Sequence, residues 1–376
     1  AHAQPLFAPS LFGPLAMAHN GNLVNMTALR QDVTHPTPPD PDCTDSELAL
    51  QSIVQAPGRA WADKVAHAMS RMDGAYCLVM LTPSQLIACR DQLGVRPLCL
   101  GRYKHGWVIA SESCALETIG AEYVREVDPG ELLVIDADGV HSLHPMPPQP
   151  QATCVFEFIY FARPDSVIAN RSVYEARYEM GRQLAREHPV EADVVIGVPD
   201  SATAAASGYA AESGVPFREG LIKNRYIGRT FIQPHQSQRA ASVALKYNAL
   251  PSVLAGKRVV VVDDSIVRGT TTGHVMSLLR KAGAREVHLR MSEPPMTDPC
   301  YLGIDVARKE ELIAARLSVP EMAREFGADS LGYLSLEGLE HAVGIGAGRL
   351  CNGCFTGRYP VTISTADAEL LAAGAR

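Results

Sequence analysis

Apolar residues in this chain fall in short runs set between polar turns. Val259-Val260-Val261-Val262 is an unbroken apolar run that ends in two carboxylates, Asp263 and Asp264. Such a run predicts a strand buried on both faces, as in a parallel sheet. A short loop rich in hydroxyls and glycine follows. A helical pattern then runs from His274 to Ala282 and stops at Gly283. Strand, turn and helix in that order place ligands at the carboxyl end of a sheet. The pattern recurs upstream. Asp193 to Ser201 predicts a buried strand ending in a polar turn, and a small-residue helix from Ala202 to Ser213 closes at Gly214. Val173 to Glu187 predicts an amphipathic helix.

Nearer the start, several short strands and two helical segments fit an α+β layered domain. Leu15 to Leu23 predicts a strand running into a turn at Asn20-Gly21. Asp73 to Leu81 predicts a turn and a strand. Ala88 to Leu98 predicts a short strand, a turn and the start of the next strand. Trp107 to Ser111 reads as a further strand, and Glu112 to Leu116 as the start of a short helix. Thr44-Asp45-Ser46-Glu47 precedes an apolar helix and reads as a capping box. Pro145 to Gln151 is a proline-rich linker, so two domains are expected, 1–150 and 151–376.

Composition narrows the class. The chain has 376 residues, enough for two domains with their own cores. Its net charge of −7 gives no reason to expect nucleic acid or a membrane surface as partner. No apolar run approaches the ~20 residues that span a bilayer. No basic segment followed by an apolar one opens the chain, so no signal peptide is expected. Nine cysteines, an odd number in a long chain, do not suggest a disulfide framework and point to a reducing cytoplasm. The chain opens at Ala1, without Met and in mid-pattern, which suggests a fragment.

The loop after the valines carries specific chemistry. Backbone N–H groups at a helix start attract an anion, and Thr270, Thr271 and Thr272 add hydroxyl donors. Gly269 lets the backbone approach a phosphate. Asp263 and Asp264 can bind ribose hydroxyls or a divalent cation. The plain alternative is an ordinary strand end and a capped helix, which Asp-Asp-Ser alone would favour. The full run from Val259 to Thr271 favours a sugar-phosphate loop. From Lys223 to Lys246 the chain carries Lys223, Arg225, Arg229 and Arg239 with no acidic residue between, a local positive field suited to a polyphosphate.

Val-Val-Val-Val-Asp-Asp-Ser-Ile-Val-Arg-Gly-Thr-Thr resembles the phosphoribosylpyrophosphate (PRPP) motif of type I phosphoribosyltransferases. Its Asp-Asp-Ser-Ile-Val-Arg-Gly-Thr-Thr version is similar to that of the glutamine PRPP amidotransferase (amidophosphoribosyltransferase) family. Ala-His-Asn-Gly-Asn-Leu at 18–23 resembles the same family's class II glutaminase domain. The resemblance implies a truncated α+β N-terminal-nucleophile (class II glutaminase) domain, followed by an α/β type I phosphoribosyltransferase domain. It implies an oxyanion hole at Asn20 and Gly21. It implies a glutamine-binding carboxylate at Asp45, where capping is also possible. It assigns magnesium to Ser201, Asp263 and Asp264, although Ser201 in isolation reads as an N-cap. PRPP binding falls to Lys223, Arg225, Arg229, Asp263, Asp264, Ser265, Arg268, Gly269, Thr270 and Thr271. The 223–246 segment corresponds to a mobile lid. The family's N-terminal nucleophilic cysteine and a glutamine-binding arginine have no counterpart in the sequence. Cys43, Cys77, Cys89, Cys99 and Cys114 read as small core residues. The chain as written is therefore expected to use ammonia and not to hydrolyse glutamine.

Cys351-Asn352-Gly353-Cys354, alone, suits zinc, a redox dithiol or an iron–sulfur centre. A redox dithiol usually opens a helix, and Phe355-Thr356-Gly357 does not read as helical. Cys154 and Cys300 supply two more thiols. Four thiolates hold either a cluster or structural zinc, and residue chemistry does not choose. The contexts of all four resemble the family branch with a [4Fe–4S] cluster, whose role is structural.

The implied activity is formation of 5-phosphoribosylamine, glutamate and pyrophosphate from PRPP, glutamine and water, the first committed step of purine synthesis. The resemblance also implies a homo-oligomer and feedback inhibition by purine nucleotides. Two rivals stand beside it. A non-catalytic PRPP sensor would lack the lid or the Ser201 metal site. A salvage phosphoribosyltransferase would not explain the glutaminase-like first domain.

Overall fold

The computed structural model describes residues 3–33, 43–224, 246–306, 308–346 and 348–372. The strands before Pro145 are β1 (Leu6–Ala8), β2 (Leu15–Leu23), β3 (Gly74–Leu81), β4 (Leu86–Arg90), β5 (Cys99–Tyr103), β6 (Gly106–Ala110), β7 (Glu122–Glu126), β8 (Leu132–Asp136) and β9 (Gly139–Leu143). Six form an antiparallel sheet in the order β1-β2-β3-β4-β8-β9, and β6-β5-β7 form a smaller one. Alternation along β3 sets the two faces. Tyr76, Leu78 and Met80 join Ile53, Val65 and Met69 of the helices Asp45–Gln55 and Trp61–Met69. Cys77 instead faces Ala88, Leu98 and Val127. The expected core cysteines Cys43, Cys77, Cys89, Cys99 and Cys114 are all buried.

The turn expected at Asn20-Gly21 does not form. Strand β2 runs through both residues, with Asn20 opposite Cys77 and Gly21 opposite Tyr76. Turn propensity is local, and an unbroken ladder with β3 outweighs it. Gly21 has φ +145°, and a Cβ there would lie 2.0 Å from the Ala75 carbonyl oxygen. Only glycine lets β2 close on β3 at this point.

The later strands are β10 (Thr153–Cys154), β11 (Val167–Ile168), β12 (Arg171–Ser172), β13 (Val194–Gly197), β14 (Leu221–Lys223), β15 (Tyr247–Ala249), β16 (Arg258–Asp263), β17 (Glu286–Met291), β18 (Ser330–Tyr333) and β19 (Leu350–Cys351). A parallel sheet runs in the order β13-β16-β17-β18. The four valines of β16 are fully buried. Val259 and Val261 pack with Val275, Met276 and Leu279 of the helix Thr270–Lys281. Val260 and Val262 face Met180, Leu184 and Tyr209 on the opposite side. Helices cover both faces, which explains the unbroken apolar run.

The helix Val173–Glu187 forms over its expected length. The helix Thr203–Ser213 ends at Gly214 in the left-handed conformation, φ +71°. Two features differ from expectation by more than a residue at an element's end. The helix after β16 begins at Thr270 rather than His274, because Gly269, at φ +81°, caps it and draws the threonines into its first turn. Gly353–Thr356 forms one helical turn, closed by Gly357 at φ +67°, where no helix was expected. A single turn is too short to leave a periodic signature.

Candidate active site

Strands β13 and β16 lie side by side, so the loops leaving their carboxyl ends meet. Ser201, from the first loop, donates to Asp264 Oδ1 at 2.5 Å. Ser265 Oγ donates to Asp264 Oδ2 at 3.0 Å, and the Asp264 N–H donates to Asp263 Oδ1 at 2.9 Å. Ser201, Asp263, Asp264 and Ser265 thus share one spot. Burial, then the charge of Asp264 beside it, pushes the Asp263 carboxyl well above the usual range. A cation placed there would relieve both effects, so the donor set fits a hard, oxygen-seeking ion. Lys246 is close enough to offset part of that charge. Its own pKa is lowered by burial and then by Lys223. Lys223 Nζ pairs with Asp200, and Tyr247 OH donates to the Pro199 carbonyl at 3.2 Å.

Gly269 closes the loop against two side chains. A Cβ there would lie 2.9 Å from both Ile313 Cδ1 and Phe326 Cζ. The helix behind it presents unpaired first-turn N–H groups, an anion site. Thr270 is exposed and Thr271 half-buried, but Thr272 is buried. Arg268 is engaged by Glu311, with Nε 2.8 Å from Oε2. Arg225 and Arg229, together with Arg239, lie outside the described residues. Sequence reasoning missed Glu293, fully buried just beyond β17. Burial pushes its carboxyl up, and Asp264 adds to the effect.

In the first domain a cavity of about 200 Å³ is lined by His19, Gly21, Asn22, Asp45, Ser46 and Gly303, among others. The expected capping box forms: Glu47 N–H donates to Thr44 Oγ1 at 3.2 Å and Thr44 N–H to Glu47 Oε2 at 2.8 Å. Capping therefore falls to Thr44 and Glu47, which leaves Asp45 on the cavity wall. Asp45 Oδ2 accepts the Leu23 N–H at 3.1 Å, and Oδ1 accepts the Ser46 N–H at 2.6 Å. His19 Nδ1 lies 2.9 Å from Ser46 Oγ, and burial keeps the ring below the usual imidazole pKa against the pull of Asp45. Gly21 lines the cavity. Asn20 faces Arg96 and Ser111: its Oδ1 accepts from Arg96 Nη2 at 3.3 Å, and its Nδ2 donates to Ser111 Oγ at 3.5 Å.

The four cysteines of the expected metal set converge from three segments. Cys154 stands opposite Cys351 in the parallel β10–β19 pair. Cys354 follows on the helical turn, and its carbonyl accepts the N–H groups of Thr297 and Asp298, both at 3.1 Å. This brings Cys300 alongside, where its sulfur accepts the Leu302 N–H at 3.4 Å. Burial, then Cys300, Cys154 and other neighbours, pushes Cys354 well up, and burial pushes Cys351 to about 12. Thiols so placed stay protonated until a thiolate-binding metal displaces the protons. Among the described residues, the one group of three such ligand atoms within 4.8 Å of one another is Asp128, Glu131 and His144. No three cysteine sulfurs are drawn together that tightly. A mononuclear zinc needs them roughly 3.8 Å apart, from Zn–S bonds of ~2.3 Å in a tetrahedron.

Three contacts across the domains had no counterpart in the sequence reading. Asn22 Nδ2 donates to the Tyr301 carbonyl at 2.8 Å. Gly303 lies on the Gly21 backbone. Arg96 Nη1 lies 3.1 Å from Glu157 Oε1. The last pair leaves a faint signal, a cation and an acid set within apolar runs.

Known proteins place these features together. A glutamine amidotransferase domain profile matches residues 1–118, and a phosphoribosyl transferase domain profile matches 169–292. An amidophosphoribosyltransferase of Synechocystis sp. is 48% identical over 371 residues, covering 97% of this chain and 75% of the relative. One from Archaeoglobus fulgidus is 47% identical, covering 98% of this chain and 81% of its own length. The solved glutamine PRPP amidotransferase of B. subtilis, complexed with ADP and GMP, superposes with a TM-score of 0.88 at 45% identity. That match covers 96% of this chain and 81% of the other. With close to half its residues identical along nearly its whole length, the chain belongs to the amidophosphoribosyltransferase family.

Proposed function

We propose that this amidophosphoribosyltransferase holds PRPP where β13 and β16 end and glutamine in the first-domain cavity. Ammonia attacks C1 of PRPP, the bond to the pyrophosphate oxygen breaks, and pyrophosphate leaves with the electron pair. Loss of a proton from nitrogen gives 5-phosphoribosylamine. The observation that carries this reading is the 2.5 Å bond from Ser201 to Asp264, which joins two anion-binding loops at one acidic pair.

The protein does little covalent chemistry here. Its task is to position the sugar and to stabilise departing charge. Asp263 and Asp264 orient the ribose. Gly269, Thr270 and Thr271 receive the 5′-phosphate at the helix start, with Ser265 and Arg268 beside them. Lys223 and Lys246 supply positive charge on the pyrophosphate side. Magnesium, held by Ser201, Asp263 and Asp264, would add Lewis-acid charge at the diphosphate. In the first domain Asn20 and Gly21 form the oxyanion hole and Asp45 receives the glutamine α-amino group.

Cys154, Cys300, Cys351 and Cys354 would hold a [4Fe–4S] cluster. Their convergence supports a metal centre, and the resemblance of their sequence contexts to the cluster-bearing branch favours the cluster over structural zinc. We place the domain boundary at 150/151. In support, residues 144–152 carry no strand or helix. Purine nucleotides are the proposed feedback inhibitors, since the B. subtilis relative was solved with ADP and GMP. We place the protein in the cytoplasm, on the reading that nine cysteines in so long a chain are not a disulfide framework. No helix among the described residues is long and apolar enough to cross a membrane.

The test is PRPP consumption with magnesium, using ammonium or glutamine as donor. Pyrophosphate release that requires both ammonium and magnesium is expected. Tight PRPP binding without turnover on either donor would replace this reading with the sensor.

A further inference from the structure

We infer that Arg96 is a positioning residue for glutamine chemistry: it fixes the orientation of the Asn20 amide and anchors it to the second domain through Glu157. The inference rests on the reading of Asn20 as an oxyanion donor.

The turn that carries Arg96 is built rigidly. Arg90 is fully buried and donates to three carbonyls: Arg96 at 2.8 Å, Val127 at 2.7 Å and Gly94 at 3.0 Å. Asp91 accepts the N–H groups of Tyr76, Leu93 and Val95 at 3.0–3.2 Å. These bonds pin the backbone of the turn on either side of Arg96. The same turn receives the start of the second domain. Ala152 N–H donates to Leu93 O at 2.8 Å, and Cys154 N–H donates to Val95 O at 2.9 Å.

Arg96 itself is 7% exposed and Glu157 only 3%. The guanidinium spans three groups. Nη1 lies 3.1 Å from Glu157, Nη2 lies 3.3 Å from Asn20 Oδ1, and Cζ lies 5.2 Å from the Phe161 ring centroid. A guanidinium only donates, so Asn20 must present its oxygen to it. The Asn20 NH₂ is then turned to the other side, where it donates to Ser111 Oγ at 3.5 Å beside the Gly21 backbone that lines the cavity. Without Arg96 the amide is free to turn over and offer an oxygen to a developing oxyanion. The Glu157 pair holds Arg96 in place from the segment that follows Cys154. A buried pair of this kind adds little net stability and is better suited to fixing geometry.

The experiment is a double-mutant cycle read by calorimetric binding of L-glutamine, with PRPP as the second ligand. Asn20→Ala and Arg96→Gln should each weaken glutamine about fivefold, the worth of one hydrogen bond. The double variant should be no worse than either single one. Arg96→Lys, which keeps the positive charge that faces Glu157, should fall between. PRPP affinity should stay within about twofold throughout, which a general loss of structure would not allow. Additive losses, parallel loss of PRPP affinity, or full glutamine affinity in Arg96→Gln would overturn the inference while leaving the Asn20 reading standing. Undetectable glutamine binding by the unaltered chain, or no loss in Asn20→Ala, would overturn the Asn20 reading and the inference with it. If Arg96→Gln does not fold, Arg96→Lys completes the same cycle.

Discussion

Gly303 rests on Gly21 so closely that a Cβ on Gly303 would stand 3.2 Å from the Gly21 carbonyl carbon. One residue belongs to the strand proposed to hold an oxyanion, the other to the loop that follows Cys300. Gly303 also has φ +111°, a conformation that side chains resist. Gly303→Val should therefore cost about 1–3 kcal/mol of stability by strain and overpacking. It should also weaken glutamine binding, since the same atoms wall the cavity. Thermal melting and calorimetry report the two effects; unchanged glutamine affinity in a destabilised variant would uncouple the loop from the cavity.

Removing the acidic pair should strike the other site. Asp264→Asn should lower ammonia-dependent kcat/KM by about 100-fold or more, as expected for loss of an electrostatic contact to the reacting group. Ser201→Ala should act mainly by raising the magnesium concentration needed for half-maximal rate. Steady-state assays across a magnesium titration separate the two. Chelation should abolish turnover in the unaltered chain.

The acid limb of stability should depend on Asp193. Its carboxylate accepts the Arg258 N–H at 2.8 Å and pairs with the Arg258 guanidinium at 3.1 Å, which holds its pKa at about 2. The folded pKa lies below the unfolded one. The stabilisation is thus present above the usual carboxylate pKa of about 4 and is lost as pH falls through about 2. Asp193→Asn should flatten the stability curve between those limits and leave it unchanged in shape above pH 5. Denaturant midpoints measured from pH 2 to 7 give the comparison, and an unaltered acid slope would show that other carboxylates govern it.

Protein prepared anaerobically should contain iron and acid-labile sulfide in equal amounts. Cys354→Ser should remove most of both and lower the melting temperature, because metal binding to a convergent thiolate set is coupled to folding. Elemental analysis decides: one zinc per chain with no iron would assign the same cysteines to zinc.

How much of this was legible in the sequence depended on whether the cause was local. The valines of β16 announce a doubly covered strand because each face must be apolar, and the helix Val173–Glu187 shows its period directly. Asp263, Asp264, Ser265 and Gly269 sit in one contiguous run, so their chemistry could be read as a unit. The course of β2 through Asn20-Gly21 could not be read, since it depends on a ladder with a strand far along the chain. The Arg96–Glu157 pair was hidden for the same reason. Each residue interrupts an apolar run, which hints at burial, but only the fold brings the two together.

The pairing of β10 with β19 also sets an order of events. Thr153 and Cys154 follow the loop after β9, while Leu350 and Cys351 come only after β18. During synthesis the first domain and the central sheet emerge well before β19 does. The turn at Leu93 and Val95 therefore meets a β10 that still lacks its partner strand. Contacts of such long sequence separation form late. A ribosome-bound chain ending before Leu350 would thus carry the six-stranded antiparallel sheet and the four-stranded parallel sheet with β10 still unpaired.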